Sequence, residues 1–301
     1  MGDNGARVLE RIRVPAGKKV KLTEYPTSWK KAEEFKLNGL KLTKDNSKEI
    51  LEKSKGELAA AQELLWAEDS YSMLIILQGM DAAGKDGIIE HVMSGVNPQG
   101  CEVTGFKTPS QIELDHDFMW RCYAAMPERG RIGIFNRSYY EEVLVVRVHP
   151  EILIGQRLPG KEKGEKLWEE RFESINDIER HLTRNGTVIL KFFLHESKDE
   201  QRSRFLDRLS DTEKQWKFSP GDLAEREFWD QYTKAYEEML SATSTEHAPW
   251  YIIPADQKWL ARVMVAFVIV RTIESLDLGY PQLSEAQKKS LGEAKKKLQD
   301  E

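Results

Sequence analysis

The sequence LIILQGMDAAGKDG, residues 74–87, decides the fold of this chain. An apolar run of buried-strand type, residues 73–77, leads into a loop that is bounded by Gly79 and Gly84 and followed by Lys85. Glycine permits the tight turn that points backbone N–H groups inward, and the lysine adds a positive charge for the outer phosphates. The stretch therefore predicts a phosphate-binding loop (P-loop) between a strand and a helix that begins at about Gly84.

The match to the general P-loop pattern is incomplete, because Asp86 stands where Ser or Thr normally coordinates magnesium. A strand–turn–helix corner without a ligand is the structural alternative. Apolar residues recur at helical spacing after the loop, at Ile88, Ile89, Val92 and Met93, which favours the phosphate-binding interpretation. Six loop residues are candidates for phosphate or nucleotide binding: Gly79, Ala82, Ala83, Gly84, Asp86 and Gly87.

The two carboxylates of this loop predict a metal ion. A carboxylate about 4 Å from a phosphate costs on the order of 4 kcal/mol per charge pair at an effective dielectric constant of 20. A bridging divalent cation removes this cost, and Mg²⁺ suits carboxylate and phosphate oxygens. Asp81 is therefore the metal candidate, whereas Asp86 serves either the metal or the first turn of the helix, where acids are favoured.

Composition is that of an ordinary intracellular enzyme: 301 residues, 40% apolar and 32% charged. The net charge of −5 argues against general nucleic-acid binding, so a local cluster of Lys and Arg must capture any anionic substrate. Cys101 and Cys122 are too few for a disulfide framework or a zinc site. The N-terminus lacks an apolar signal core, and residues 264–270 are too short an apolar run to span a bilayer. We expect a cytoplasmic protein without a membrane or nucleic-acid partner.

Strand-like and helical segments alternate along the chain. Apolar runs of strand length cover residues 73–77, 102–106, 132–135, 187–194 and 250–255. Helical periodicity covers residues 47–66, 168–182, 198–209 and 258–276. This alternation predicts an α/β fold with a parallel sheet of about five strands, helices on both faces, and ligands beyond the carboxyl ends of the strands.

We predict one main domain with short appendages. Residues 1–45 are interpreted as a solvated, basic N-terminal extension, residues 46–280 as the P-loop domain, and residues 281–301 as a charged tail with helical character. Within the domain, residues 142–170 are predicted to form a helical lid, because the stretch from 155 to 170 is rich in Gly, Lys and Glu. Closure of such a lid would exclude water, which competes as a phosphoryl acceptor.

A second polar cluster, Asn136, Arg137 and Glu141, follows the strand at 132–135. It should emerge at the same sheet edge as the P-loop, where an acid organises magnesium in many P-loop proteins. Here the strand ends in the neutral Asn136, so metal binding shifts to Asp81 and Glu141. Arg137 suits a transferring phosphoryl group because its forked charge matches phosphate oxygens. A surface salt bridge is the structural alternative for Arg137.

A third cluster lies on a helix that opens with the capping residue Ser197. Arg204 and Arg208 are four residues apart and share a face of this helix. Like charges on adjacent turns repel weakly, and an anion between them would reverse that repulsion. Pairing with Glu200 or Asp207 is the structural alternative. Both arginines are therefore candidates for phosphate binding.

These clusters give the chain a close resemblance to the second family of polyphosphate kinases, the polyphosphate:nucleotide phosphotransferases. The matching segments are GMDAAGKDG at 79–87, VNPQG at 96–100, FNRSYYEEVLVVRVHPE at 135–151, EQRSRFLDR at 200–208, QWKFSPGDL at 215–223 and STEHAPWYIIPADQKW at 244–259. Together they cover roughly residues 50–275 in the family's order.

The resemblance implies a thymidylate-kinase-like P-loop core and magnesium-dependent phosphoryl transfer between inorganic polyphosphate and nucleotides. It implies that Asp81 is the loop acid, that Lys85 binds phosphate, and that Arg137 and Arg208 hold the transferring phosphate and the chain, with Arg204 a weaker candidate. It also implies a homo-oligomer, since relatives commonly form dimers or tetramers.

One departure from the commoner family pattern bears on the acceptor. Many members have Asp at the strand end and Asn five residues later, whereas this chain has Asn136 and Glu141. That pair resembles the class III subgroup, which implies AMP and ADP as acceptors and ADP and ATP as products.

Two other functions compete: a conventional kinase with ATP as donor, and a non-catalytic nucleotide or phosphate sensor.

Overall fold

The structure, a computed structural model, describes residues 3–159 and 164–301. The strands are β1 Lys36–Leu37, β2 Leu40–Lys41, β3 Ser72–Gly79, β4 Cys101–Gly105, β5 Ile132–Asn136, β6 Thr187–His195 and β7 Trp250–Pro254. The helices are α1 Asp3–Ile12, α2 Lys44–Glu68, α3 Lys85–Val92, α4 Gln111–Leu114, α5 Trp120–Tyr123, α6 Val145–Val148, α7 Ile152–Gln156, α8 Glu165–Arg184, α9 Lys198–Ser210, α10 Pro220–Glu227, α11 Trp229–Thr243, α12 Lys258–Glu274 and α13 Glu285–Gln299.

Strands β3 to β7 form a parallel sheet in the order β4-β5-β3-β6-β7, which confirms the predicted α/β fold. The five strands lie where the apolar runs predicted them. The central strand β3 is buried along its whole length, because it is flanked by β5 and β6 and covered on both faces. The in-register pairs Leu77–Asn136 and Gly79–Leu194 bring the ends of these three strands to one edge of the sheet.

Alternate residues of β3 enter two separate cores. Met73, Ile75 and Leu77 pack with α2 and α12, whereas Leu74 and Ile76 pack with α8 and α11. Helix α12 is buried on almost every side, because it lies between the sheet and α2 and is apolar over most of its length. The helices on both faces hold the sheet, and therefore its carboxyl edge, as one rigid support.

The interpretation of residues 1–45 as a solvated extension is wrong. Val8, Ile12 and Trp29 are buried in the core on the α12 side of the sheet. The segment also runs along the edge strand β7, where the Val14 N–H donates to the Trp250 carbonyl at 2.9 Å. Val8 and Ile12 lie four residues apart on α1 and share its buried face, a helical spacing that the interpretation as a basic extension overlooked. Trp29 lies in an irregular stretch, where local periodicity does not reveal burial. The division at residue 45 stays a prediction.

The tail and the lid differ in how much of each the structure describes. All residues from 281 to 301, including helix α13, are exposed. The predicted lid, 142–170, contains α6, α7 and the start of α8, while residues 160–163 lie outside the described part.

Among the described residues, no helix has both the length and the apolar character that a membrane span requires.

Candidate active site

The P-loop joins β3 to α3, and its glycines are required by space and by backbone conformation. A Cβ on Gly79 would lie 2.9 Å from the Leu194 carbonyl oxygen and 3.0 Å from the Ala83 Cβ. Gly84 caps α3 with φ 102°, a value that side chains with a Cβ rarely adopt. The predicted start of the helix at about Gly84 is confirmed.

The Lys85 side chain folds back against the P-loop backbone. Its Nζ donates to the carbonyl oxygens of Gly79 at 2.7 Å and Met80 at 3.1 Å. Burial and the neighbouring Arg137 charge lower the pKa of Lys85, while the carboxylates of Asp81 and other nearby acids oppose this shift. A phosphate beside this ammonium would supply further negative charge and would favour its charged form.

Arg137 connects the end of β5 with the P-loop. Its Nη2 donates to Asp81 Oδ1 at 2.8 Å, and its Nη1 lies 3.7 Å from Glu141 Oε2. The Arg137 backbone has φ 65°, in the left-handed region that costs non-glycine residues conformational energy. The turn at residues 136–141 therefore holds the guanidinium between two carboxylates, one from the loop and one from the turn itself.

Glu141 is the inner member of this group. Burial raises the pKa of its carboxyl, while the charges of Arg137 and Lys85 act in the opposite direction. The amide of Gln78, oriented with its nitrogen toward Glu141, donates to Oε1 at 3.0 Å. The carboxylate thus contacts both β3 and Arg137, and it lines a cavity at the sheet edge.

Asn136 and Asp86 form a second link between β5 and the P-loop. The Asn136 amide donates to Asp86 Oδ1 at 2.7 Å. A hydrogen bond from a neutral amide satisfies the Asp86 carboxylate without adding charge. All the candidates of the first two clusters therefore come together at the sheet edge, as the parallel topology predicts.

The two arginines of α9 separate into different roles. The Arg204 guanidinium is buried, and its donors reach the carbonyl oxygens of Ala82 at 2.9 Å and Ala255 at 2.5 Å and the carboxylates of Glu196 and Glu200. These contacts support the P-loop backbone, so the geometry does not favour the phosphate contact expected of Arg204. Its structural alternative, pairing with Glu200, is present at 2.8 Å.

Arg208, one turn later on α9, is partly exposed and faces the site. Its guanidinium lies 4.0 Å from the carboxylate of Asp222 on α10 and lines the larger of two cavities at the sheet edge. Near it, Gln201 of the same helix donates to the Asp81 carbonyl oxygen at 2.8 Å. Helix α9 therefore supports the loop with Gln201 and Arg204, and its Arg208 lines the cavity.

Two cavities meet at Asp81, Arg137 and Asp222, which line both. The larger cavity has a volume of about 760 Å³ and runs along the P-loop. Its cationic lining residues are Lys85, Lys107, Arg137, Arg208, Lys214, Lys217, Lys258 and Arg262. The smaller cavity, of about 290 Å³, has an aromatic and aliphatic wall made of Leu144, Val145, Trp229, Tyr232 and Tyr236.

Sequence reasoning missed several of these lining residues. Asp222, Lys258 and Arg262 lie on α10 and α12, far along the chain from the P-loop. Asp222 is contained in the QWKFSPGDL segment at 215–223, and that resemblance is the one sequence signal that points to it. Lys217 lies in the same segment and Lys258 in the segment at 244–259, whereas Lys214 stands out in the sequence only as further charge. The convergence of Asp222, Lys258 and Arg262 on the cavity depends on how α10 and α12 pack, which local patterns do not reveal.

A divalent cation fits the carboxylates where the cavities meet. Burial and the like charge of Asp81 raise the pKa of Asp222, a repulsion that a cation between the two would relieve. Within the described ranges, no group of three or more His, Cys, Asp or Glu side chains could hold a metal ion by itself. Mg²⁺ is commonly bound by one or two carboxylates with phosphate oxygens and water, so two carboxylates beside a cationic cavity suit it.

Comparison with known proteins identifies the family. The sequence profile described as polyphosphate kinase 2 matches residues 41–279. The chain is 50% identical over 290 residues to an ADP-polyphosphate phosphotransferase of Rhodopseudomonas palustris, covering 96% of this chain and 98% of the relative. It is 47% identical over 232 residues to an AMP/ADP-polyphosphate phosphotransferase of Meiothermus ruber, covering 77% and 83%.

A solved structure agrees with the sequence comparisons. The crystal structure of polyphosphate kinase 2 from Arthrobacter aurescens superposes with a TM-score of 0.82 at 38% identity, covering 94% of this chain and 95% of the other. The profile match spans most of the chain, and it includes the P-loop, the 136–141 turn and the cationic cavity. The chain therefore belongs to the polyphosphate kinase 2 family.

Proposed function

We propose that this protein transfers the terminal phosphoryl group of inorganic polyphosphate to nucleoside mono- and diphosphates. The observation that carries the proposal is the meeting of a cationic channel and an aromatic pocket at Asp81 and Arg137. Family membership and the names of two relatives, an ADP-polyphosphate and an AMP/ADP-polyphosphate phosphotransferase, support the same reaction.

The larger cavity suits polyphosphate because the donor is an extended polyanion. In the described part of the chain, eight cationic side chains line this cavity, among them Lys85, Lys107 and Lys258, and Arg137 lies where it meets the smaller cavity. A row of positive charges neutralises successive phosphates without reading a base or a sugar. The overall charge of −5 makes this local cluster the source of attraction for the anion.

The smaller cavity suits the nucleotide because it offers planar and apolar surfaces for a base. Trp229, Tyr232 and Tyr236 provide aromatic rings, and Leu144 and Val145 provide aliphatic contact. Its inner end reaches Arg137 and Gly79, where the phosphates of a nucleotide would meet the end of the polyphosphate chain. Occupancy of the two cavities in this way would bring donor and acceptor together for direct transfer.

In this mechanism a terminal phosphate oxygen of the nucleotide attacks the last phosphorus of polyphosphate. A new P–O bond forms, the anhydride P–O bond breaks, and its electron pair stays on the shortened chain. Lys85 and Arg137 stabilise the negative charge on the transferring group. We propose Asp81 as the residue that holds Mg²⁺, with Asp222 beside it; when bound, Mg²⁺ would neutralise charge on the phosphate oxygens. No covalent protein intermediate is required.

We propose both AMP and ADP as acceptors. This proposal rests on Asn136 and Glu141, the pair that resembles the class III subgroup. The two relatives differ on this point, because the R. palustris protein is named for ADP alone and the M. ruber protein for AMP and ADP. The acceptor range of this chain is therefore the first property to measure.

A time course with AMP, Mg²⁺ and polyphosphate, with no other phosphoryl donor, tests the proposal. We expect ADP to appear first and ATP to follow, resolved by chromatography. ADP without ATP would contradict the dual-acceptor assignment. A parallel reaction with ADP must yield ATP; no product from either acceptor would contradict the polyphosphate-dependent activity, and a reaction of AMP with ATP alone would then identify an ATP-dependent kinase.

Two further properties stay predictions, the first from the family resemblance and the second from the composition and apolar pattern of the sequence. A homo-oligomer, dimer or tetramer, is expected, and size-exclusion chromatography with light scattering would measure it. A cytoplasmic location is also expected. Neither is needed for the proposed chemistry, because the described residues of a single chain line both cavities.

A further inference from the structure

A buried ion pair lies behind the 136–141 turn. Glu179 of α8 and Lys191 of β6 are fully buried, and Lys191 Nζ donates to Glu179 Oε2 at 2.5 Å. The same ammonium donates to the Tyr140 hydroxyl at 2.9 Å and to the Thr243 carbonyl oxygen at 2.7 Å. All three Lys191 protons therefore have acceptors within the protein.

The side chains of Tyr139 and Tyr140, both in the 136–141 turn, form hydrogen bonds with this ion pair. The hydroxyl groups of Tyr139 and Tyr140 donate to Glu179 Oε1 at 2.8 Å and 2.7 Å. Both rings are fully buried, and they pack against each other with centroids 4.9 Å apart. The Glu179 carboxylate thus accepts two hydrogen bonds on one oxygen and the lysine on the other.

Stability alone does not explain why charges occupy this place. The free-energy cost of removing two charges from water offsets much of their mutual attraction. Well-packed apolar residues at the same positions often give equal stability. The pair adds directional hydrogen bonds, which fix the positions of the two phenol rings more narrowly than apolar packing does. The rings belong to residues 139 and 140, between Arg137 and Glu141.

The turn has a reason to need such fixing. Arg137 adopts φ 65°, a conformation that persists only where the surroundings determine it. On the β3 side the turn is held by the Gln78 amide, which lies within hydrogen-bonding distance of the Ser138 hydroxyl, and the backbone N–H of Tyr140 also donates to that hydroxyl at 3.2 Å. On the opposite side the two hydroxyl contacts with Glu179 complete the support.

We infer that Glu179 and Lys191 are positioning residues, which act through Tyr139 and Tyr140 to hold Arg137 and Glu141 at the junction of the two cavities. They touch neither cavity, and the described lining residues of both cavities do not include them. The kinetic test of this inference rests on the proposed function, because it measures phosphoryl transfer. The structural test measures the position of Arg137 and does not depend on that function.

The test replaces the two hydroxyl groups and keeps the rings. In the double variant Tyr139→Phe/Tyr140→Phe, we expect kcat to fall by about tenfold, because small displacements of positioned groups are costly in transfer reactions. The KM for polyphosphate should stay within about twofold, since Lys107, Lys258 and the other channel cations are untouched. The single variants should show smaller losses.

Ser72→Ala is the matched control. Ser72 Oγ donates to Thr187 Oγ1 at 3.1 Å in a buried hydrogen bond at the opposite end of β3. Its removal should lower the thermal midpoint without changing kcat at 25 °C. Equal kcat losses in the control and the double variant would show a general effect of destabilisation, and an unchanged kcat in the double variant would overturn the inference.

A crystal structure of the double variant provides the independent readout. We expect Arg137 Nη2 to lie beyond hydrogen-bonding distance of Asp81, whereas the pair is 2.8 Å apart in the wild type. An unchanged 136–141 turn would overturn the inference even if the activity had fallen. Failure of the wild type to transfer phosphate would refute the proposed function and would leave this structural test valid.

Discussion

At the scale of single residues, Arg137 contributes charge and shape together. It lies between Asp81 and Glu141 and lines both cavities. A planar guanidinium can donate two parallel hydrogen bonds to a phosphoryl group, whereas an ammonium offers a point charge. The residue is therefore expected to act through the geometry of its fork.

Arg137→Lys should lower kcat by about 10²-fold, because the charge remains and the paired donors are lost. Steady-state kinetics with ADP, Mg²⁺ and saturating polyphosphate would measure this effect. Arg131→Lys is the control, since Arg131 is half-exposed and pairs with Glu128 away from both cavities. A loss of less than about threefold in Arg137→Lys would contradict the bidentate role.

The metal assignment of Asp81 gives a different kinetic signature. Asp81→Asn removes one negative charge beside the phosphates, so more Mg²⁺ should be needed for half-maximal activity and kcat should fall by at least about tenfold. Titration of activity against Mg²⁺ concentration would measure both. Nearly full activity across the whole range would show that Asp81 does not hold the metal.

Glu196 gives a prediction about stability and pH. Burial raises its pKa to about 8, although the charges of Arg204 and Lys85 act against this shift. The folded state therefore binds a proton that the unfolded state has released between about pH 4.5 and pH 8. Stability from this group is present at low pH and is lost as the pH rises through that window.

We expect the thermal midpoint of the wild type to decrease from pH 6 to pH 8 by more than that of Glu196→Gln. The amide has nearly the shape of the protonated carboxyl and does not titrate. Thermal unfolding at intervals of about 0.5 pH unit would measure the difference between the two proteins. Parallel curves for the two proteins would contradict the raised pKa.

At the scale of elements, α9 supports the P-loop and also contributes a side chain to the larger cavity. Arg204 and Gln201 donate to the backbone carbonyls of Ala82 and Asp81, whereas Arg208 faces the cationic channel. The Arg204 side chain is 5% exposed and that of Arg208 26%, although the residues are one turn apart. The pair allows a comparison within one helix.

Arg204→Met should destabilise the fold by about 3 kcal/mol or more, because it leaves Glu196 and two carbonyl groups without a donor. Arg208→Met should change stability by less than about 1 kcal/mol and raise the KM for polyphosphate. Urea unfolding and steady-state kinetics on both variants would measure these effects. The reverse order of stabilities would contradict the separation of roles.

At the scale of the whole molecule, the N-terminal segment belongs to the core and the C-terminal helix does not. Ile12 is 1% exposed and packs in the core on the α12 side, whereas Leu291 of α13 is 56% exposed. The two residues have similar side-chain volumes, so the same truncation at each compares their environments. The prediction extends to the segments that carry them.

Ile12→Ala should lower the free energy of unfolding by about 2–4 kcal/mol, from lost burial and the cavity that remains. Leu291→Ala should change it by less than about 0.5 kcal/mol. Denaturant titration of the two variants would measure both values. Similar small effects would show that residues 1–45 do not contribute to the core.

The sequence by itself determined the sheet, the P-loop and the grouping of Asp81, Lys85, Asn136, Arg137 and Glu141 at one edge. These conclusions follow from spacing within single segments and from the rule that parallel strands end together. The resemblance of six segments added the family, which the profile match to residues 41–279 confirms.

Only the tertiary structure decided the roles of residues that those local patterns leave ambiguous. Arg204 and Arg208 have equivalent positions in the helical pattern, yet α9 packs so that one supports the P-loop and the other faces the cationic cavity. The burial of Ile12 and the convergence of Asp222 with Asp81 likewise join distant parts of the chain. Sequence periodicity reports neighbours within one element, whereas burial and charge pairing depend on how separate elements pack.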